Sequence, residues 1–362
     1  MKSLIDILDL SVEEIDLLIE RAADIMEHPD RYATACARRK LATLFFEPST
    51  RTRLSFEAAM YELGGQVLGF SEAGTSSAAK GESISDTARI VAGYADVIAM
   101  RHPKEGAPLV ASLSSPVPVI NAGDGGHNHP TQTLADLFTI RHEKGRLDSL
   151  TVGFCGDLKY GRTVHSLIAA LSRYAGIRFV LISPEELRIP GYVKRDILKK
   201  CDAEYFETTD LEEALPQLDI LYMTRIQGER FASESEFLRL RDTYILTPEK
   251  LTAAKPELCI MHPLPRVNEI SVAVDADPRA CYFKQALYGK YMRMALILFL
   301  LDEKQRSSPS ASSVQQGLSS DYTCKNPACI TSTEQELPHL FKLTNAEESV
   351  WRCVWCEHRA KR

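Results

Sequence analysis

Seven short apolar runs recur along this chain: Leu41 to Phe46, Val97 to Met100, Val117 to Ile120, Leu150 to Cys155, Phe179 to Ile182, Ile220 to Met223 and Leu258 to Met261. Stretches of helical period separate them. One such helix starts at Ser11, where Glu14 three residues on completes a capping-box pattern and Ile15, Leu17, Leu18, Ala22 and Ile25 carry the apolar stripe. Buried strands alternating with helices build parallel sheets covered by helices on both faces. A chain of 362 residues has material for two such lobes and an appendage. The boundary between lobes is expected near Gly145, because a fresh buried strand begins at Leu150. Ligands of open α/β sheets bind beyond the carboxyl ends of strands, so a site between the lobes is expected.

No apolar run approaches the roughly 20 residues that cross a bilayer. The N-terminus does not look like a signal peptide, since Asp6, Asp9, Glu13 and Glu14 interrupt any apolar stretch. A soluble, cytoplasmic protein without membrane attachment is expected. The net charge of −6 argues against a general polyanion binder, so any positive potential must be local.

Such a local concentration lies in Phe45-Phe46-Glu47-Pro48-Ser49-Thr50-Arg51-Thr52-Arg53. There an apolar strand ends, small polar residues turn the chain, and a helical apolar spacing begins at Leu54. First-turn amides, hydroxyls and two guanidinium groups would converge on one tetrahedral anion, and a phosphate is expected. A lone Ser-Thr pair would be read as an ordinary helix cap with solvated charges nearby; five such residues in succession favour the anion cradle. Neither G-x-x-x-x-G-K-[ST] nor G-x-G-x-x-G after a strand is present, so the phosphate is not expected to belong to a nucleotide.

Of nine cysteines, Cys36, Cys155, Cys201, Cys259 and Cys281 are scattered singly and are expected to behave as small buried hydrophobes. The other four form two close pairs, Cys324-x4-Cys329 and Cys353-x2-Cys356, after a serine-rich, nearly uncharged linker over 305–321. That spacing suits a structural zinc site, which can organise a segment too small to fold alone. Two disulfides are the rival reading, disfavoured in a cytosolic setting. The expected fold class is α/β, with two doubly wound parallel-sheet lobes and a small C-terminal zinc-ribbon β domain.

The nonapeptide resembles the carbamoyl-phosphate signature of the aspartate and ornithine carbamoyltransferases. Further blocks extend the resemblance in the same order: Ser76 to Lys80, Met100-Arg101-His102-Pro103, His129-Pro130-Thr131-Gln132-Thr133-Leu134, Gly156 to Arg162, Met223-Thr224-Arg225-Ile226-Gln227 and His262-Pro263-Leu264-Pro265-Arg266. Residues from about 1 to 305 thus resemble a catalytic chain of that family in motif content and in motif order. The resemblance implies a carbamoyl-phosphate-binding domain over 1–145, an aspartate-binding domain over 146–304, and transfer of a carbamoyl group to L-aspartate in pyrimidine biosynthesis, with no catalytic cofactor. It implies that Ser49, Thr50, Arg51 and Thr52 hold the phosphate, that Arg101 adds a second cation, and that His129 donates to the carbamoyl oxygen with help from Arg101 and Thr52. Gln132 would bind the carbamoyl amide, and the backbone carbonyls of Leu264 and Pro265 would accept from the carbamoyl nitrogen and the incoming amine. Arg162 and Arg225, with Gln227, would anchor the aspartate carboxylates. Ser76 and Lys80, on a loop of small residues, would reach into a neighbouring subunit's site, which makes the expected assembly a homotrimer with shared active sites.

The residues facing the second substrate separate the two branches of that family. Ornithine enzymes resemble one another in a His-Cys-Leu-Pro loop and an acid-containing Ser-Met-Gly segment, whereas this chain has His262-Pro263-Leu264-Pro265 and Arg225-Ile226-Gln227. A guanidinium there favours a β-carboxylate over an ammonium. Gly228 departs from the pattern, since many relatives carry a lysine at that place. The segment 322–362 is similar to the zinc domain of the aspartate carbamoyltransferase regulatory chain, which docks on catalytic subunits and bridges trimers; here it follows the catalytic part directly. Between the two, 305–321 is too short and polar for a nucleotide-binding domain, so no nucleotide effector site is expected. The competing reading from another class is a nucleic-acid-binding or scaffolding protein with an inactive body. Its support is the small basic cluster Arg352, Arg359, Lys361 and Arg362, and no nucleic-acid partner is expected.

Overall fold

A computed structural model describes residues 2–75, 77–226, 244–306, 318–334, 336–346 and 348–360. The chain divides into two compact units, Met1–Thr131 with Lys290–Arg362, and Gln132–Gly289.

The first unit is built on four parallel strands, β1 (Lys40–Phe45), β2 (Gln66–Phe70), β3 (Val97–His102) and β4 (Val119–Asp124), in the order β2-β1-β3-β4. Helices α1 (Val12–Glu27), α2 (Thr50–Glu62), α3 (Ile84–Ala92) and α4 (Ala107–Ser114) belong to the same unit. The capping box at Ser11 is formed as expected, with the Ser11 hydroxyl accepting from the Glu14 amide and Glu14 accepting from the Ser11 amide. Beyond its first residue β1 is buried throughout, and β2, at the sheet edge, is half-exposed.

Five parallel strands form the second unit: β5 (Thr151–Cys155), β6 (Arg178–Ile182), β7 (Glu204–Thr208), β8 (Ile220–Met223) and β9 (Cys259–Met261), in the order β7-β6-β5-β8-β9. Helix α5 (Pro130–Lys144) carries the chain into this unit, α6 (Arg162–Leu171) follows β5, and α7 (Tyr282–Arg306) carries it out again. The units therefore part inside α5 and α7, while the loop before β5, with Gly145 at φ 71°, is where the sequence suggested a break. Among the described residues, no helix is long and apolar enough to cross a membrane.

The C-terminal module is a three-stranded antiparallel sheet, β10 (Leu318–Ser319), β11 (Phe341–Asn345) and β12 (Val350–Cys353). Leu318 and Ser319, read from sequence as linker, pair with Lys342 and Phe341 and so belong to the module. The rest of the serine-rich stretch, 307–317, lies outside the described residues. Cys329, Ile330, Phe341 and Trp355 of the module pack into one apolar cluster with Ile84 and Ala88 of α3 and Ala107 and Val110 of α4. Burying each large side chain contributes about 1.5–3 kcal/mol, so the seat is a hydrophobic one. Of the five scattered cysteines, Cys201 is exposed rather than buried, because it lies in the turn that leads to edge strand β7.

Candidate active site and metal centre

Three loops leave adjacent parallel strands of the first unit at their carboxyl ends. β1 and β3 run in register with Phe45 opposite Arg101, and the Phe46 amide donates to the Arg101 carbonyl at 2.8 Å, which fixes where the cradle begins. Ser49 stands at the N-cap of α2, yet its side chain makes no capping hydrogen bond. The helix start thus presents the Ser49 hydroxyl together with the first-turn backbone amides that a helix leaves without internal partners. Arg101 is largely buried, ion-paired to Glu47 at 2.7 Å, and donates weakly to the Ala122 carbonyl at 3.4 Å. Its Nε has no hydrogen-bond partner among the described residues.

Arg51 lies within electrostatic reach of Arg101: burial, and then the positive charge of Arg101, push the Arg51 pKa below its usual value. Like charges held together in this way are relieved by an anion. Arg53, which the sequence placed in the same cradle, instead turns back along α2 to Glu57 at 3.7 Å, since residues four apart share a helix face.

The loop after β4 brings His129 to this place. Gly123 has φ 120°, and a Cβ there would stand 2.9 Å from Arg101 Nη1 and 3.4 Å from His129 Cδ2, so the two side chains meet across a position only glycine leaves open. Asp124, 1% exposed, organises the turn. It accepts from the amides of Gly106 and Asn128 and from Asn121 Nδ2, at 2.9, 2.9 and 3.0 Å, and it stands 3.0 Å from His127 Nδ1. Burial acts against a charge on His127, but the Asp124 carboxylate outweighs it and raises the His127 pKa well above the usual imidazole value. His102, by contrast, is pushed down to about 4 by burial and accepts the Lys104 amide as a neutral ring. His129 itself is buried, with Thr131 Oγ1 3.4 Å from its Nδ1.

In the second unit the loops after β5, β8 and β9 carry the remaining candidates. Gly156, φ 118°, ends β5, and a Cβ there would lie 2.4 Å from the Thr224 carbonyl oxygen. The Asp157 amide donates to Thr224 Oγ1 at 2.9 Å, and Asp157 in turn accepts from the Lys159 and Tyr160 amides. Arg162, at the first turn of α6, and Arg225, just past β8, therefore stand on loops that touch. Both side chains are half-buried. Gln132 donates through Nε2 to Asp136 at 2.8 Å, and the buried Asp136 also accepts from Gln285 and Tyr222. With one of its two N–H donors so used, Gln132 keeps Oε1 as an acceptor. The Leu264 amide donates to His262 Nδ1 at 2.8 Å, while Nε2 of the same ring meets Glu269 at 2.7 Å, and this buried pair holds the 262–269 loop.

Arg51, Arg101 and His129 are thus brought together, with Ser49, Thr50 and Thr52 at the adjoining helix start. Lys80 is exposed at the end of a short turn before α3, and no hydrogen bond or ion pair joins it to that cluster among the described residues. Ser76 and Gln227, and the departure at Gly228, lie outside the described residues. Sequence reasoning missed Glu47, Asp124, His127, Asp136 and Glu269, which act on the candidate residues from behind. Glu47 lies inside the nonapeptide, and the other four stand within five residues of a recognised block, which was the available signal.

The four C-terminal cysteines converge. Their Sγ atoms all lie within 4.8 Å of one another, with 3.6 Å between Cys324 and Cys356 and 3.9 Å between Cys329 and Cys353. Four thiolates about 2.3 Å from one ion stand about 3.8 Å apart at the corners of a tetrahedron, whereas a disulfide needs about 2.05 Å. The cysteine donor set therefore fits a tetrahedral, thiolate-preferring ion and not a pair of disulfides.

Comparison with known protein families matches the chain in three segments. Residues 2–142 match the family described as aspartate/ornithine carbamoyltransferase, carbamoyl-P binding domain, and 148–300 match its Asp/Orn binding domain. Residues 320–362 match the aspartate carbamoyltransferase regulatory chain, metal binding domain. The chain belongs to the aspartate/ornithine carbamoyltransferase family. Within it, the chain is 62% identical over 302 residues to the aspartate carbamoyltransferase catalytic subunit of Lachnoclostridium phytofermentans, covering 83% of this chain and 98% of the relative. The catalytic subunit of M. jannaschii aspartate transcarbamoylase superposes with a TM-score of 0.79 at 46% identity, over 85% of this chain and 100% of that one. Aspartate transcarbamoylase from Trypanosoma cruzi, solved in complex with carbamoyl phosphate and aspartate, gives 0.77 at 39% identity, over 82% and 96%.

Proposed function

We propose that this chain transfers the carbamoyl group of carbamoyl phosphate to the amino group of L-aspartate, giving N-carbamoyl-L-aspartate and phosphate for pyrimidine synthesis. The observation that carries the reading is the Arg51 and Arg101 pair, two like charges gathered beside the open start of α2 with the buried His129 next to them. Ser49, Thr50, Arg51, Thr52 and Arg101 hold the phosphate. His129, with Arg101 and Thr52, polarises the carbamoyl oxygen. Gln132 Oε1 accepts from the carbamoyl nitrogen, the carbonyls of Leu264 and Pro265 accept from that nitrogen and from the incoming amine, and Arg162, Arg225 and Gln227 hold the two carboxylates of aspartate. The neutral amine attacks the carbamoyl carbon, the bond to the phosphate oxygen breaks with its electron pair leaving on phosphate, and the amine sheds a proton. Positioning and preorganised charge supply the acceleration without a covalent intermediate.

In this reading 1–145 serves carbamoyl phosphate and 146–304 serves aspartate. Cys324, Cys329, Cys353 and Cys356 hold a structural zinc ion, whose thiolate bonds stabilise the module. Ser76 and Lys80 complete a neighbouring subunit's site in a cytoplasmic homotrimer, and the zinc modules join two trimers. Incubating the purified chain with carbamoyl phosphate and either aspartate or ornithine tests the assignment. Carbamoyl-aspartate alone should accumulate; citrulline, or no ureido product, would overturn it.

A further inference from the structure

Within the first unit, the zinc module touches the chain near three of the candidate carbamoyl-phosphate residues, Lys80, Arg101 and His129. Glu334 accepts from the Ile84 amide at 2.9 Å, four residues beyond Lys80. Glu105, four residues beyond Arg101, exchanges two backbone hydrogen bonds with the module, its amide donating to Ala328 and its carbonyl accepting from Ile330. It also accepts from Asn326 Nδ2 at 2.6 Å. Gly106, at φ 89°, lies so close that a Cβ there would stand 2.6 Å from the Trp355 carbonyl oxygen.

The third contact is made by side chains alone. Glu357, the residue after Cys356, places Oε1 2.8 Å from Lys342 Nζ and Oε2 3.8 Å from His127 Nε2. The latter is an ion-pair distance rather than a hydrogen bond. The other nitrogen of His127 is taken by Asp124, so the ring is held between a carboxylate of the first unit and one of the zinc module. His127 is two residues from His129 in a turn that Asp124 closes through the Asn128 amide. A displacement of the ring therefore bears directly on the backbone that presents His129.

We propose that Glu357 is a positioning residue for carbamoyl phosphate, acting through His127 on the loop that ends at His129. It rests on the carbamoyl-transfer reading above. Seating of the zinc module and order of the phosphate half-site then become one property of a single chain, because both partners of the bridge are covalently joined.

The test uses the full-length, zinc-loaded chain and measures carbamoyl-phosphate affinity by calorimetry, which needs no turnover, alongside steady-state kinetics. Glu357→Gln should keep the wild-type zinc content and raise the dissociation constant and KM for carbamoyl phosphate about threefold to fivefold, the range of a partly exposed ion pair. The aspartate KM at saturating carbamoyl phosphate should stay put. In a His127→Asn background, Glu357→Gln should add nothing further. Glu357→Gln with full zinc and unchanged carbamoyl-phosphate affinity overturns the proposal, and so does a full additive effect in the double variant. Should Glu357→Gln lose zinc, His127→Asn, outside the module, carries the same test, and unchanged affinity there overturns it equally. A wild-type chain that binds carbamoyl phosphate without forming carbamoyl-aspartate would count against the transfer reading and leave the positioning result to stand on affinity.

Discussion

Gly123→Ala separates catalysis from folding in a way the geometry specifies. At φ 120° an L side chain is strained, by about 1–2 kcal/mol in left-handed backbone. The new methyl would stand 2.9 Å from Arg101 Nη1 and 3.4 Å from His129 Cδ2, inside normal contact for the first and tight for the second. Arg101 Nη1 is the far end of a flexible side chain, so the fold yields there by moving the guanidinium and the stability loss stays near the backbone value. Catalysis has no such escape: misplacing a positioned group by about 1 Å can lower the rate about 100-fold, some 2.7 kcal/mol of transition-state stabilisation. Initial rates of carbamoyl-aspartate formation should fall about 10- to 100-fold, with a melting temperature lowered by only about 2–8 °C. Gly156→Ala is the companion, because there the added carbon would meet the Thr224 backbone oxygen at 2.4 Å, an atom that cannot swing aside. Its dominant loss should be stability. If Gly123→Ala keeps its rate within about threefold of wild type, Arg101 and His129 are not the working groups and the reasoning fails.

Two further outcomes follow from the same contacts. Cys353→Ser should bind no zinc and, by loosening the module from the α3 and α4 seat, lower the melting temperature of the first unit; sedimentation should show any assembly that depends on the module fall to a smaller species, and an unchanged melt and sedimentation profile would contradict both roles. His127, whose pKa is raised against the opposing effect of burial by Asp124 and Glu357 above an ordinary value of about 6.5, contributes stability that is fully present below that value and lost as pH rises through the folded one, so as pH rises above about 6.5 wild-type stability should fall more steeply than that of His127→Asn.

Seven of the nine parallel strands were legible because each carries or overlaps a short buried apolar run. β2 and β7 were not: both lie at sheet edges, and Gln66-Val67-Leu68-Gly69-Phe70 and Glu204-Tyr205-Phe206-Glu207-Thr208 mix polar with apolar residues because one side meets water. The metal centre was legible from cysteine spacing, a one-dimensional signal for a local fold. Arg51, Arg101 and His129 were placed by motif, and the strand register shows why they meet. Arg53 was misplaced because spacing alone does not say which face of α2 a guanidinium takes. Asp124 and Asp136 escaped notice because a buried acid is recognised by the donors that surround it, and those come from residues as distant in sequence as Gln285. β10 was hidden in serine-rich sequence because two residues paired with β11 carry no periodicity.

The central claim is that the cation pair beside α2 is a phosphate site with an imidazole aimed at the neighbouring carbonyl. A crystal structure with a phosphonate bisubstrate compound tests it most directly. The phosphonate should lie against Arg51, Arg101 and the first-turn amides of α2, with its carbonyl oxygen within hydrogen-bond reach of His129. Density for the compound elsewhere, with Arg51 and Arg101 directed apart, would contradict the account.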